Sequence, residues 1–185
     1  MRVIAGKYRS RVLRPLPGMD IRPTADRLRE TLLNVLTAGN PNALEGTTWI
    51  DLFAGTGAVG IEAISRGAAK VQFVESSAAA VSVIRQNLKS LGIDSGFEVL
   101  QQDAARALPK LRGLPADFVF LDPPYRLDAA YKQTLALLAE SPLVTEKTII
   151  VAEHHKRSDP GDEIGRLKRY RRLTQGDAAL SFYRL

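Results

Sequence analysis

A carboxylate, two prolines and a tyrosine follow an apolar run in this sequence, at Asp122, Pro123, Pro124 and Tyr125. Residues 117–121 before them have the character of a buried strand, so the four residues lie where a strand would end. A carboxylate and a backbone carbonyl both accept hydrogen bonds from an amino group, and the proline rings keep the backbone in place. This turn therefore suits the binding of an exocyclic amino group on a nucleobase.

The same acceptors would also activate such an amino group. Its lone pair is delocalised into the ring, and hydrogen bonds to the Asp122 carboxylate and the Pro123 carbonyl would draw the nitrogen toward sp³ geometry. The carboxylate would balance the positive charge that develops on the nitrogen during attack. Tyr125 offers a flat face for an unstacked base. The catalytic candidates are thus residues 122–125.

A glycine loop supplies the second group of candidates. Residues 51–60, DLFAGTGAVG, fit G-x-G-x-x-G between a predicted strand and a predicted helix, where glycines let a ligand approach the backbone. Glu75 ends the second strand, where a carboxylate can bind both hydroxyls of a ribose, and Asp103 follows the third, where it can accept from an adenine amino group. The candidate cofactor-binding residues are Asp51, Phe53, Gly55, Thr56, Gly57, Glu75, Ser76, Asp103 and Ala104.

The acid at the start of this loop bears on the choice of cofactor. A dinucleotide and S-adenosylmethionine (SAM) both carry ribose and adenine, but SAM has an α-amino group and a sulfonium in place of phosphates. Asp51 would repel a pyrophosphate and attract the cationic amine. The sequence therefore favours SAM, with a dinucleotide oxidoreductase as the weaker alternative.

Strands and helices alternate regularly around these residues. The apolar runs predict strands at residues 48–53, 70–75, 97–101, 117–122 and 148–153, with helices at 59–66, 78–91, 104–111 and 129–139 between them. Ser77 is placed to cap the second of these helices and Gly92 to end it. Residues 167–174 and 179–185 predict a terminal antiparallel hairpin. The fold class is α/β and Rossmann-like, with a mostly parallel seven-stranded sheet and helices on both faces.

Ahead of the sheet, the sequence predicts a small basic extension. Residues 1–16 suggest one or two short strands with Gly6 at a bend, and Thr24 is placed to cap a helix that runs to Ala38. We divide the chain into this extension, residues 1–40, and a catalytic domain, residues 41–185. Arg9, Arg11, Arg22, Thr24 and Arg27 are its candidate RNA-binding residues.

Charge and composition indicate a nucleic-acid partner. The net charge is +6, of which residues 1–30 carry +5 and residues 153–185 carry +3, while residues 31–152 carry −2. Basic flanks of this kind attract phosphate backbones. Cysteine is absent, and the two histidines are adjacent, so we expect no metal site. The sequence has no signal peptide and no apolar run that would span a membrane, and we expect a cytoplasmic monomer.

The motifs resemble a known family. DPPY after the fourth strand together with DLFAGTGAVGIE after the first is similar to SAM-dependent methyltransferases that act on adenine N6, cytosine N4 or guanine N2. RVIAGKYRSRVL, IRPTADRLRETLLNVL and LSFYR narrow the resemblance to the bacterial 16S ribosomal RNA guanine-N2 methyltransferase (RsmD) family of class I methyltransferases. The resemblance implies transfer of one methyl group to N2 of a guanine in a hairpin loop of 16S rRNA, within an assembled small ribosomal subunit. It also implies that Arg22, Thr24 and Arg27 belong to a family motif.

Three other interpretations stay open at this stage. The same pocket could methylate adenine N6 or cytosine N4 in nucleic acid, although 185 residues show no separate target-recognition domain. The chain could also be a non-catalytic RNA-binding assembly factor that retains the fold, or a dinucleotide oxidoreductase. Nucleoside analysis, substitution of Asp122, and calorimetry with SAM against NAD distinguish these interpretations.

Overall fold

A computed structural model describes residues 1–16, 23–124 and 128–185. Side chains are described from Asp26 onward in the second range and from Ala129 onward in the third. Strands and helices alternate because short apolar runs are separated by amphipathic segments with polar or glycine ends. The strands are β1 (Thr48–Leu52), β2 (Lys70–Glu75), β3 (Phe97–Gln101), β4 (Phe118–Leu121), β5 (Ile149–His155), β6 (Glu163–Ile164), β7 (Leu167–Gln175) and β8 (Ala178–Arg184). The helices are α1 (Pro23–Leu36), α2 (Ala58–Ser65), α3 (Ala78–Leu91), α4 (Ala104–Ala107) and α5 (Asp128–Ala139).

The strands of the described residues form one sheet in the order β3-β2-β1-β4-β5-β8-β7-β6. The first five run parallel to one another, whereas β8 runs antiparallel to both β5 and β7. The sequence predicts seven strands, and the eighth is β6, a two-residue strand that pairs with β7. A segment of two residues leaves no periodic pattern, which is why the sequence does not reveal it.

Helices cover both faces of the sheet, and each face has its own core. On one face Trp49, Phe73 and Phe182 pack with apolar residues of α1, α2 and α3. On the other, Leu52 and Tyr183 pack with residues of α4 and α5. Every residue of β1 is buried, as expected for a central strand of a doubly covered parallel sheet. No helix in the described ranges has the length and apolar character needed to cross a bilayer.

The N-terminal segment differs from its prediction. In place of short strands, residues 1–16 form a single isolated antiparallel bridge between Arg2 and Val12, with Gly6 at the bend at φ 80°. Its backbone groups are divided between two partners. The Val3 N–H donates across the bend to the Arg11 carbonyl at 2.9 Å, whereas the N–H groups of Ile4 and Ala5 donate to Glu62 of α2 at 2.8 and 2.9 Å. The α1 helix starts at Pro23, so Thr24 lies in its first turn and not at the cap position.

Candidate active site

The carboxyl ends of four adjacent strands bring the predicted site residues together. Leu52 of β1 is in register with Val74 of β2 and Leu121 of β4, and Leu121 is in register with Ala152 of β5. The residues one position further on therefore stand in one row at the edge of the sheet. These residues are Phe53, Glu75, Asp122 and Glu153. In open parallel sheets, ligands bind beyond this edge.

The glycine loop after β1 departs from ordinary backbone geometry at its first residue. Phe53 has φ 59°, in the left-handed region that non-glycine residues rarely adopt. Gly55 and Gly57 follow at φ 56° and 76°, and Gly57 forms the N-cap of α2. Among the described residues, the nearest neighbour of a methyl group built on Gly55 would be the Phe53 carbonyl oxygen at 3.9 Å. The loop thus leaves open space beside its backbone for a ligand.

The third glycine of the motif serves packing. A methyl group built on Gly60 would lie 2.3 Å from Phe73 and 2.8 Å from Val71, both in β2. Gly60 therefore allows α2 to approach the sheet closely, and this approach places the start of α2 beside the loop. Thr56, which the sequence also assigns to the site, accepts at its carbonyl from the side chain of Asn87 at 3.0 Å.

Asp51 is a buried acid directly beneath this loop. Its side chain is 1% exposed, and its Oδ2 accepts a hydrogen bond from the Gly60 N–H at 2.9 Å. Burial raises the pKa of Asp51 to about 8, with the charge of Glu75 acting in the same direction and the Gly60 hydrogen bond opposing it. A carboxylate in this environment gains from the arrival of a cation.

Glu75 joins the loop to the start of α3. Its Oε2 accepts from the Gly55 N–H at 2.9 Å, and its Oε1 accepts from the Ser77 N–H at 2.8 Å. Ser77 caps α3 and Gly92 ends it at φ 67°, which confirms both predictions. Ser76 donates weakly to Glu75, at 3.5 Å. The carboxylate is therefore held in one orientation, with further acceptor capacity for ligand hydroxyl groups.

Asp103 and Ala104 follow the end of β3, where the sequence places them. Asp103 is exposed and caps α4 by accepting from the Arg106 N–H at 3.2 Å. The Ala104 side chain is buried in the core that α4 and α5 form with the sheet, so Ala104 would contact a ligand through its backbone. A carboxylate has two oxygens, so the role of Asp103 in binding adenine stays a prediction that the helix cap does not exclude.

Asp122 is surrounded by carboxyl groups. Burial raises its pKa well above its usual value, and the charges of Glu153 and Asp51 add to the increase. The sequence places Glu153 at the end of a strand but does not reveal this proximity, because the proximity depends on the register of β4 with β5. Within residues 1–16, 23–124 and 128–185, no three His, Asp or Glu side chains are arranged to hold a metal ion. Asp51 and Asp122 therefore favour their protonated forms, and a nearby cation would shift both toward the carboxylate form.

The proline turn is anchored from inside the protein. Pro123 is buried and Pro124 is exposed. The hydroxyl of Tyr131, from α5, donates to the Pro123 carbonyl oxygen at 3.0 Å. The sequence did not indicate that Tyr131 contacts the proline turn, because a tyrosine in an amphipathic helix is predicted to be a core residue. Tyr125 lies outside the described residues, so its place as a base-stacking residue stays a prediction.

The predicted RNA-binding arginines do not all lie at this edge. Arg9 and Arg11 are exposed. The bend at Gly6, which precedes them, packs on Ser65 at the C-terminal end of α2, and the glycine loop lies at the other end of this helix. Arg11 donates to the Ser90 carbonyl, near the C-terminal end of α3, at 3.1 Å. Both therefore lie toward the amino ends of the parallel strands, at the edge of the sheet opposite the one that holds Asp122. Arg22 and the side chain of Thr24 are outside the described residues.

Arg27 lies nearer the active edge. The hydroxyl of Thr31, one helical turn further on, donates to the Arg27 carbonyl and contacts Gln175 at 2.9 Å. Gln175 ends β7, beside the carboxyl end of β5. Lys156 and the exposed Arg157 follow β5 directly and were not singled out from the sequence. Basic residues from the extension and from the C-terminal region thus lie toward the carboxyl edge of the sheet.

Comparison with known proteins agrees with this geometry. Residues 1–184 match the family model described as "Conserved hypothetical protein 95". The chain is 34% identical over 186 residues to "Putative rRNA methyltransferase YlbH" of Bacillus subtilis, which covers 100% of this chain and 98% of that protein. It is 36% identical over 158 residues to "Ribosomal RNA small subunit methyltransferase D" of Haemophilus influenzae, which covers 84% and 79% of the two chains.

A solved structure shows the same architecture. "Putative methyltransferase yhhF from Escherichia coli" superposes with a TM-score of 0.82 at 32% identity, over 100% of this chain and 97% of that one. The chain has the class I methyltransferase fold and belongs to the RsmD family.

Proposed function

We propose that this protein transfers a methyl group from SAM to the exocyclic N2 amino group of a guanine in a hairpin loop of 16S rRNA. The observation that carries the proposal is the position of Asp122, one strand away from the glycine loop and in the same row as Glu75, with Pro123 directly after it. This position would set two acceptors for an amino group beside the cofactor. The family resemblance and the names of the relatives supply the choice of rRNA.

The residues around the loop suit SAM. A cationic ligand would shift Asp51 and Asp122 toward their carboxylate forms and would be stabilised by them, whereas a pyrophosphate would meet no positive charge among Asp51, Asp122 and Glu153. Glu75 would bind the ribose hydroxyls, the open space at Gly55 would admit the ligand backbone, and Asp103 would accept from adenine. Bound SAM would supply an electrophilic methyl group on a sulfonium centre.

The chain's own groups would orient and activate the base. The Asp122 carboxylate and the Pro123 carbonyl would accept the two hydrogens of the amino group, which directs the nitrogen lone pair toward the methyl carbon. Positioning at about 3–3.5 Å supplies much of the rate in such transfers. Asp122 would also balance the charge developing on nitrogen. The methylated ammonium is acidic, so its proton can pass to Asp122 or to water, and no stronger base is needed.

The basic surface would contact RNA on two sides. Arg27, Lys156 and Arg157 lie near the carboxyl edge of the sheet, where they would bind phosphates beside the target base. Arg9 and Arg11 lie beyond the far end of α2, which is eight residues, or about 12 Å, long. An RNA that reached both groups would have to extend along this helix. We therefore propose residues 1–40 as an RNA-contacting extension of the catalytic domain.

The same acceptors would also bind adenine N6 or cytosine N4. Both carry an amino group conjugated with a ring, so the Asp122 and Pro123 contacts do not separate them from guanine N2. The non-catalytic assembly factor is a different alternative, in which the acidic site has no turnover. We propose guanine because the flanking motifs, and not the DPPY turn alone, resemble the RsmD family.

The experiment that tests the function uses small ribosomal subunits from a bacterial strain that lacks its own copy of this methyltransferase. The subunits are incubated with the protein and SAM that carries a deuterated methyl group, and the rRNA is digested for mass spectrometry. Labelled N2-methylguanosine at a single mapped position is the expected product. Label on adenine or cytosine would identify the alternative chemistry, and absence of label in any nucleoside would contradict the proposed activity.

A further inference from the structure

The Tyr131 hydroxyl and the Pro123 carbonyl form a hydrogen bond that the activity, as proposed so far, does not use. The oxygen atoms are 3.0 Å apart, the tyrosine side chain is 1% exposed, and the contact crosses eight residues of chain. The proline turn is therefore fixed to α5 through the same carbonyl that would accept from the base.

Tyr131 is itself held firmly in place. It belongs to the core formed by α4, α5 and the sheet, together with Leu135 and Leu138 of its own helix. The ring of His154 meets its ring edge-on, with centroids 6.3 Å apart and an interplanar angle of 82°. His154 is in turn hydrogen-bonded to Ser181 at 2.8 Å. The donor thus has little freedom to follow the carbonyl if the turn moves.

A carbonyl oxygen has two lone pairs, so the Pro123 carbonyl can accept from the Tyr131 hydroxyl and from a second donor. The hydroxyl takes one from the protein side, and the second stays available to a donor that approaches from the crevice. Because the hydroxyl fixes where the oxygen lies, it also fixes where the base nitrogen would be held relative to Asp122. Displacement of about 1 Å in such a site can lower turnover about 100-fold.

We propose that Tyr131 is a positioning residue for methyl transfer, which orients the Pro123 carbonyl toward the amino group of the base. This inference rests on the proposed function, because it assigns a role to that carbonyl in binding the reacting nitrogen. It concerns a residue outside the turn and outside the glycine loop, which acts through Pro123 and does not touch the substrate.

The chain provides a matched control for the test. Tyr183 is also a fully buried tyrosine of the same core, and its hydroxyl donates to the Gly161 carbonyl oxygen at 2.8 Å. Tyr131→Phe and Tyr183→Phe therefore remove the same atom and the same type of hydrogen bond. Gly161 lies in the loop between β5 and β6 and does not belong to the site. A purely structural role for Tyr131 predicts equal effects of the two changes.

The measurement is single-turnover methylation of undermethylated small subunits by the wild type and both variants, with SAM affinity determined by calorimetry. We expect Tyr131→Phe to slow the transfer step by about 10-fold to 100-fold, with SAM affinity and the KM for subunits changed less than about threefold. Tyr183→Phe should keep the wild-type rate. Assays at low temperature with saturating SAM, which stabilises the folded state by mass action, keep both variants folded.

The outcomes separate the two proposals. If the wild type methylates and Tyr131→Phe retains its rate, the positioning role is wrong and the proposed function stands. An equal loss in Tyr131→Phe and Tyr183→Phe also overturns the positioning role, because it would reflect the stability of the core. If the wild type transfers no methyl group to subunits, the proposed function fails, and the role of Tyr131 fails with it.

Discussion

The carboxylate of Glu75 accepts a hydrogen bond from the Gly55 N–H at 2.9 Å, so the acid that ends β2 holds the glycine loop that follows β1. The other oxygen of the same carboxylate accepts from the Ser77 N–H at the start of α3. Two loops that would enclose a cofactor are thus joined before any ligand binds. A preorganised site of this kind loses less free energy on binding.

Replacing Glu75 with Gln tests this relationship. The amide has one acceptor oxygen in place of two, so either Gly55 or Ser77 loses its partner, and a ribose would meet a weaker acceptor. We expect the Kd for SAM to rise about 10-fold to 100-fold, which is about 1.4–2.8 kcal/mol. Glu98→Gln is the control, because Glu98 is an exposed residue of β3 that contacts Gln72. Unchanged affinity in Glu75→Gln would refute the cofactor-binding role.

The raised pKa of Asp51 predicts that SAM binding releases protons. Below pH of about 8, Asp51 of the ligand-free protein is mostly protonated, and a bound cation would favour its carboxylate form. We therefore expect SAM affinity to increase as the pH rises from about 6 to 7.5, where the SAM amine stays mostly charged. Calorimetry in buffers of different ionisation enthalpy measures the release. Binding without proton release, or equal release by Asp51→Asn, would contradict the prediction.

The same shift affects the stability of the ligand-free protein. A carboxyl group whose pKa is raised on folding keeps a proton that the unfolded chain loses, so the free energy of unfolding decreases as the pH rises from about 4 to 8. Asp51→Asn should be less sensitive to pH over this range. Urea titrations at several pH values measure both proteins, and parallel pH curves for the two would show that Asp51 does not cause the dependence.

Glu153 should influence turnover through Asp122. Its charge raises the pKa of Asp122, so Glu153→Gln is expected to lower that pKa. If the ionised Asp122 is the active form, the acidic limb of the kcat profile moves to lower pH in this variant. Glu140→Gln, at an exposed residue paired with Arg166, serves as the control. A profile for Glu153→Gln that coincides with the wild type would exclude this coupling.

Glu62 should contribute mainly to stability. Its buried carboxylate accepts from the N–H groups of Ile4 and Ala5 and forms an ion pair with Arg66 at 3.1 Å. Glu62→Gln removes the charge that pairs with Arg66 and leaves one of the two N–H groups without its carboxylate acceptor, while Arg29 keeps its ion pair with Asp26 at 3.1 Å. We therefore expect a loss of about 1–3 kcal/mol in the free energy of unfolding. Denaturant titration against Glu146→Gln, an exposed position, measures the effect. A loss below about 0.5 kcal/mol would show that the N-terminal segment is anchored elsewhere.

Local patterns were sufficient for the parallel half of the sheet and for the caps of α3. Apolar runs bounded by polar or glycine residues predicted β1 to β5 within two residues at each end, because burial on both faces requires such runs. Ser77 and Gly92 were predicted from cap chemistry alone. The bend at Gly6 was predicted, but the N-terminal segment pairs only as an isolated bridge, because part of its backbone hydrogen bonds go to Glu62 and Ser65, which are distant in sequence.

In the candidate site, too, some residues could be predicted from local patterns and others depend on contacts between distant segments. Asp51, Glu75 and Asp122 follow from strand ends and the glycine motif, and the sequence places all three at one edge. Glu153 and Tyr131 were missed because their relevance comes from the pairing of β4 with β5 and from a contact of α5 with the proline turn. No spacing within a single segment contains that information.

The central claim is that Asp122 activates the amino group of the base and does not hold the cofactor. Single-turnover methylation of undermethylated small subunits by Asp122→Ala, with SAM affinity measured on the same protein, tests it most directly. The predicted result is a transfer rate lower by about 10²–10³, with a Kd for SAM within about threefold of the wild type. A proportional loss of rate and SAM affinity, or an unchanged rate, would contradict it.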